Sequence, residues 1–395
     1  MNFDNIKRRS AMILIKNGYI KTMSGADIEC GCVLIGDDGK IAAVGADITA
    51  PEGAEIIDAE GRLVTPGCVE AHCHIGIGEP LIGWAGSDTN ERSEPITPQM
   101  RAIDGINPLS SDFPKAVRGG VTTVCVAPGS TNIIGGTATA IKTVGKRVDD
   151  MIIKDPVAMK CAFGENPKNY YGQMSKRAPI TRMAIAALFR ETLYKAKAYA
   201  ADKDAGKDVK FDIKLEALVP VIKGELPLKV HAHRADDIFT AIRIAKEFDL
   251  KLTLDHCTEG HLIAEELAKE GYPALIGPSF GGRSKAELEH KSFTTAGELH
   301  RAGVEVSIIT DAGVSPIHHL PMFAGMASNA GLPKEEAWRA ITINPAKALG
   351  IEDRVGSLEV GKDADVIIWT ADPLTTIGGE SYIAIVNGKI AYKAE

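Results

Sequence analysis

Between Cys68 and Asp311 the chain returns eight times to a short apolar run, at 68–75, 121–127, 137–143, 157–163, 228–233, 251–256, 273–277 and 304–311. Several of these runs are separated by segments such as ADDIFTAIRIAKEF and LIAEELAKEG, whose apolar residues fall at helical spacing. Strand-like and helical patterns in alternation imply a parallel sheet with helices packed outside it, and eight strands are the number a closed (β/α)8 barrel requires. The third run, TATAIKT, is the weakest of the eight.

The two ends of the chain have another texture. MILIKNGYI, GCVLIGDDGKIAAVG and AEIIDAEGRLV near the start, and ADVIIWT and YIAIVNGKIAYK near the end, are β-branched runs punctuated by Asn-Gly and Asp-Gly turns. They predict one small β-sandwich domain built from residues 1–65 and 351–395, flanking a barrel domain over 66–350. The expected fold class is α/β, a TIM-like (β/α)8 barrel with that composite β domain. A chain of 395 residues is long enough for both.

A net charge of -7, with no basic run, gives no footing for nucleic acid. No segment reaches the ~18 to 20 apolar residues that cross a membrane. The N-terminal MNFDNIKRRSAMILIKNGYI resembles a leader only superficially: its apolar patch is broken at Lys16 and no small-residue cleavage site follows. The seven cysteines are odd in number and lie mostly in apolar strand-like runs, as reduced buried thiols do. Cys30 and Cys32 are spaced one residue short of the common metal or redox pair. These features predict a cytoplasmic protein that handles a small molecule.

In parallel α/β folds the working groups gather at the C-terminal ends of the strands. Those ends carry, in order, His72 and His74, Lys160, His231 and His233, His256, and Asp311. A lone strand-end histidine is most often a satisfied core residue. Imidazoles and a carboxylate at successive strand ends instead form the donor set that a divalent ion of the zinc type prefers. His290 and His300, in helical or surface-like sequence, show what scattered histidines look like. Residues i and i+2 of a strand point the same way, so His72 and His74 aim together into the barrel while Cys73 points out. In VAMKCAF the same alternation puts Val157, Met159, Cys161 and Phe163 on an apolar face and Lys160 inside. A buried amine must find a partner or lose its charge. Two outcomes stay open: a carbamate on Lys160 that bridges two ions, or an ion pair with Glu165.

Several motifs together resemble the metal-dependent amidohydrolase superfamily: VTPGCVEAHCH (64–74), GGVTTV (119–124), KVHAH (229–233), LDHCTEGH (254–261), IITDAG (308–313) and ITINPAKALGIEDRVGSLEVGKDADVII (341–368). Within it the chain is most similar to the branch of imidazolonepropionase-related enzymes, hydantoinases and dipeptidases. The resemblance implies one or two divalent ions, zinc being the expected metal. His72, His74 and Asp311 would hold one ion, His231 and His256 the second, and carboxylated Lys160 would bridge them. His231 is preferred to His233 because it directly precedes Ala; His233 then contacts substrate. Glu165 is the alternative ligand, with a single ion. The sequence departs from the family at Glu70, where an Asp is usual two residues before the first histidine.

The implied activity is hydrolysis of an amide, cyclic amide or dipeptide C–N bond by metal-activated hydroxide, with Asp311 as the catalytic proton carrier. Arg283, His318 and Tyr170 are candidate substrate contacts, beside His319 and Tyr171; each is equally a loop residue with no such role. A heterocycle deaminase usually has a glutamate three residues after the fifth-strand histidine, where this chain has Arg234. A non-catalytic assembly protein on the same scaffold typically loses ligands, and this chain keeps them. A homo-oligomer is implied by the resemblance alone.

Overall fold

The structure, a computed structural model, describes residues 12–395. The basic stretch 1–11, part of the leader-like pattern and of the expected composite domain, lies outside the described residues. Eight strands form one nearly closed sheet: β1 (Cys68–Cys73), β2 (Val121–Val126), β3 (Ile134–Lys142), β4 (Ile152–Ala162), β5 (Leu228–Ala232), β6 (Leu252–His256), β7 (Ala274–Ile276) and β8 (Val306–Ile308). They neighbour one another in sequence order. The two edges meet just past β1 and β8, where the His74 amide donates to the Ala312 carbonyl at 2.8 Å.

One expectation needs correction. β3 is not a parallel barrel strand; it runs antiparallel to both β2 and β4, with Thr123 opposite Lys142 and Gly136 opposite Lys160. The connections 127–133 and 143–151 hold no α-helix. They are shorter than the dozen or so residues a parallel crossover needs, so the chain can only turn back on itself. The other connections behave as the alternation predicts. Helices Arg182–Asp204 and Ile213–Ile222 lie between β4 and β5, and Ala235–Phe248 between β5 and β6. Ala235–Phe248 buries Ile238, Ala241, Ile242, Ala245 and Phe248, one stripe at 3.6-residue spacing. Asp249 ends it in a left-handed conformation (φ 57°).

Alternation along the strands separates two apolar layers. Met159, Cys161 and Phe163 join the large cluster under the helices, whereas Val157, expected on the same face, packs inside the barrel. Val69, Ala71, Cys125, Ala138, Ala140, Ala158, Leu275 and Ile309 form a separate cluster inside the barrel, closed below by Ala346 and Leu349. Small side chains there let eight strands converge and leave the polar groups only the opposite mouth. The second sheet joins both chain ends in the order 389–393, 381–386, 366–369, 63–66, 13–20, 28–35 and 41–45, with 55–58 also pairing against 13–20. Its core includes Ile15, Val33, Ile35, Val366, Ile368 and Ile385. All seven cysteines are unbridged, and all except Cys30 are buried. No helix among the described residues is long and apolar enough to cross a membrane.

Candidate metal centre

His72 and His74 leave the end of β1 on one side, as their spacing requires. Each ring is fixed through Nδ1. His72 Nδ1 donates to Asp255 Oδ2 at 2.6 Å, and His74 Nδ1 to the Ala127 carbonyl at 2.7 Å. Both Nε2 atoms then face Asp311, whose Oδ1 lies 3.5 Å from that of His72 and 3.2 Å from that of His74. The donor atoms of His72, His74 and Asp311 are mutually within 4.8 Å.

A second group of the same tightness is made by His231, His233 and His256. His231 enters by regular alternation with Lys229. His256 does not: Leu252 and Leu254 pack outward, so an even strand would send His256 outward with them. Positive φ at His256 (76°) and Cys257 (42°) turns the ring inward instead, and its Nδ1 donates to the Gly277 carbonyl at 2.7 Å. Asp311 also has positive φ, 52°. Uncommon backbone at two of these positions is the kind of strain that collects at functional centres. The two groups adjoin, since the His72 and His256 rings are 5.0 Å apart.

Lys160 is fully buried between them. Burial pushes its ammonium down to about 8 against the pull of Asp255 and Asp311. Its Nζ donates to Ser130 Oγ at 2.9 Å, and that hydroxyl lies 2.9 Å from His231 Nδ1. Glu165 is not the partner of Lys160. Its carboxylate accepts from the Glu287 amide (3.3 Å) and lines a separate cleft with Lys168 and Arg234, so it belongs to neither group. Glu70 has a definite position: one oxygen accepts from the Thr310 amide (2.8 Å) and hydroxyl (2.6 Å), the other from the His72 amide (3.1 Å). It ties the histidine strand to the residue before Asp311. Burial raises its carboxyl to about 7 even so.

Burial holds His72, His231 and His233 well below the ordinary imidazole range, reinforced by Lys160 at His72 and His231. Burial alone would raise the Asp311 carboxyl, but its neighbours His74, His256 and Lys160 hold it below the carboxylate range. Neutral imidazoles beside an ionised carboxylate are the protonation states that metal ligation requires. Among the described residues, His72 Nε2, His256 Nε2 and Asp311 Oδ1 are buried and have no hydrogen-bond partner. Orphaned donor atoms of this kind fit a divalent cation and little else.

The centre opens into a cavity of about 1150 Å³, lined among others by His233, Asn166, Arg283, Trp84 and Phe280. Of the expected substrate contacts, His233 and Arg283 reach it. His318 does not, because its backbone packs against Gly119. Tyr170 does not either; its ring lies edge-on to Tyr171, with the Arg92 guanidinium 5.2 Å above it. The sequence reading missed Asp255, Lys229, Ser130, Asn166 and Glu287. Asp255 had a signal, the shared inward face of Thr253 and Asp255 in KLTLDH. Ser130, Asn166 and Glu287 sit on loops and had none.

Comparison with known proteins agrees with this geometry. The Amidohydrolase family model matches residues 63–391. Amidohydrolase tasK of Hapsidospora irregularis is 31% identical over 82% of this chain, which spans only 36% of that longer protein. An imidazolonepropionase of Mesorhizobium japonicum is 25% identical, covering 91% of this chain and 92% of its own. The crystal structure of an amidohydrolase from Thermotoga maritima superposes with a TM-score of 0.93 at 38% identity, over 97% of this chain and 100% of that one. The fold is that of a barrel-type hydrolase, with a donor set that could hold a divalent ion. The chain belongs to the amidohydrolase family, and it is a hydrolase acting on carbon–nitrogen bonds.

Proposed function

We propose that this chain hydrolyses a small amide, cyclic amide or dipeptide at a divalent-metal centre held by His72, His74 and Asp311 and by His231, His233 and His256. The observation that carries this reading is the pair of adjoining three-residue groups at the barrel mouth, in which His72 Nε2, His256 Nε2 and Asp311 Oδ1 are buried without a hydrogen-bond partner among the described residues. Zinc suits a set of imidazoles and one carboxylate. An ion bound there supplies Lewis acidity to a carbonyl and makes hydroxide available at neutral pH.

The side chains do the rest. Asp255 holds the His72 ring with Nε2 inward, and Ala127 and Gly277 do the same for His74 and His256. Asp311, ionised and at the centre of the mouth, accepts the proton of the attacking water and returns it to the leaving nitrogen. Arg283, on the cavity wall, faces the rest of the substrate. Lys160, buried and donating to the Ser130 hydroxyl, is the residue that would carry a carbamate, which would supply a further oxygen ligand. The buried, unbridged thiols support a reducing compartment such as the cytoplasm.

The test is a screen of N-acyl amino acids, dipeptides and cyclic ureides on metal-replete protein, scoring amine and ammonia release. With an active substrate in hand, Asp311→Asn lowers turnover by about 10²- to 10⁴-fold while the metal content holds. Full activity in that variant, or a well-folded chain that binds no metal, overturns the reading.

A further inference from the structure

The loop after β7 brings one more carboxylate to the centre. Glu287 lies in the short 3-10 turn Ala286–Leu288, and its side chain is 1% exposed. One oxygen is anchored: Oε2 accepts from the Glu165 amide at 2.9 Å. The other, Oε1, is ion-paired with Lys285 Nζ at 2.5 Å and also faces the second histidine group, 3.5 Å from His233 Nε2 and 3.9 Å from His231 Nε2. Around a tetrahedral zinc, with bonds of roughly 2.0 to 2.1 Å, neighbouring ligand atoms lie roughly 3.3 Å apart. Glu287 Oε1 thus stands near a ligand's distance from His233 and slightly wide of His231, while it lies outside the 4.8 Å span that gathers these two with His256, so it must swing inward to share their ion.

We propose that Glu287 is a ligand of the ion held by His231, His233 and His256, completing a set of three imidazoles and one carboxylate; the inference rests on the metal dependence proposed above. Lys285 is the competitor, with Nζ 2.5 Å from the same oxygen. It has a second acceptor in Asn166 Oδ1 at 2.9 Å, which retains the ammonium when Oε1 turns to the ion. Gly164 keeps the approach open. Its φ is 85°, and a Cβ there would stand 2.9 Å from Glu287 Oε2. Because Arg283 shares this loop, an ion that holds Glu287 also fixes the cation facing the substrate.

The test is cobalt titration of the chelator-stripped full chain, followed by visible absorption and by equivalents bound. Wild type takes up two equivalents. In Glu287→Gln the second weakens by about tenfold or more and its spectrum changes, while the first is untouched; Glu287→Asp, which keeps a carboxylate, recovers part of the loss. A Glu287→Gln titration identical to wild type in both equivalents overturns the proposal. Should that variant fail to fold, Glu287→Asp decides: it keeps the charge and withdraws the oxygen, so the second equivalent weakens and its spectrum shifts if Glu287 is a ligand, and both stay as in wild type if it is not. Wild type that binds no cobalt overturns the metal reading along with this one, whereas two equivalents unaffected by Glu287 overturn this one alone.

Discussion

The Asp255 carboxylate touches three side chains inside the barrel: His72 Nδ1 at 2.6 Å, Lys229 Nζ at 3.0 Å and Thr253 Oγ1 at 2.9 Å. It selects the His72 tautomer that leaves Nε2 free, and it balances the charge of a buried lysine. Asp255→Asn keeps the shape and removes both effects. Metal affinity at the His72 group should fall about 10- to 100-fold, read by titration. Stability should fall by about 3–5 kcal/mol, the cost of an unpaired buried charge, read by urea denaturation. An unchanged metal affinity would end its orienting role. At this scale the sequence was informative where a strand dictated direction. His72 with His74, and Lys160 between Met159 and Cys161, follow from period two. His256 is the exception: strict alternation turns it outward, and only its left-handed backbone brings it in. Glu165, Tyr170 and His318 sit in short helical turns of the connections, whose placement is set by distant contacts that no local pattern encodes.

Turns between elements decide which loop residues reach the centre. Gly164 connects β4 to Asn166 at φ 85°, where an added Cβ would meet Asp237 Oδ2 at 2.8 Å and Glu287 Oε2 at 2.9 Å. Gly164→Ala combines backbone strain with a displaced carboxylate and should cost about 1–3 kcal/mol, seen as a lower urea midpoint. A midpoint equal to wild type would show that the turn relaxes freely. Strand count was readable because apolar runs and turn residues mark each element. Strand direction was not. An apolar run reads alike either way, and the information lay in the length of 127–133 and 143–151, too short for a crossover. That meander places Ser130 beside Lys160 and His231, so the misread direction also hid a site residue.

The barrel and the second sheet are joined by charges as well as by apolar packing. Lys142, at the end of β3, is 2% exposed and lies 2.7 Å from Asp365 and 3.0 Å from Asp363. Asp363 also receives Lys40 and, at 2.7 Å, Arg354. Burial alone would raise the Asp363 carboxyl, but Lys142, Lys40 and Arg354 outweigh it and hold it near 2, below its ordinary 3.8. A depressed folded-state value means stability that is complete above the ordinary value and is lost as the pH falls through about 2. Lys142→Met fills the same space with no charge and leaves two buried carboxylates short of a partner. At pH 7 it should destabilise the chain by about 3–5 kcal/mol. The gap from wild type should narrow as the pH falls from 4 toward 2, because protonated carboxyls no longer need the ammonium. Urea denaturation of both proteins across that range measures it; a gap that stays constant would show that Lys142 acts through its methylenes and that packing alone joins the two sheets.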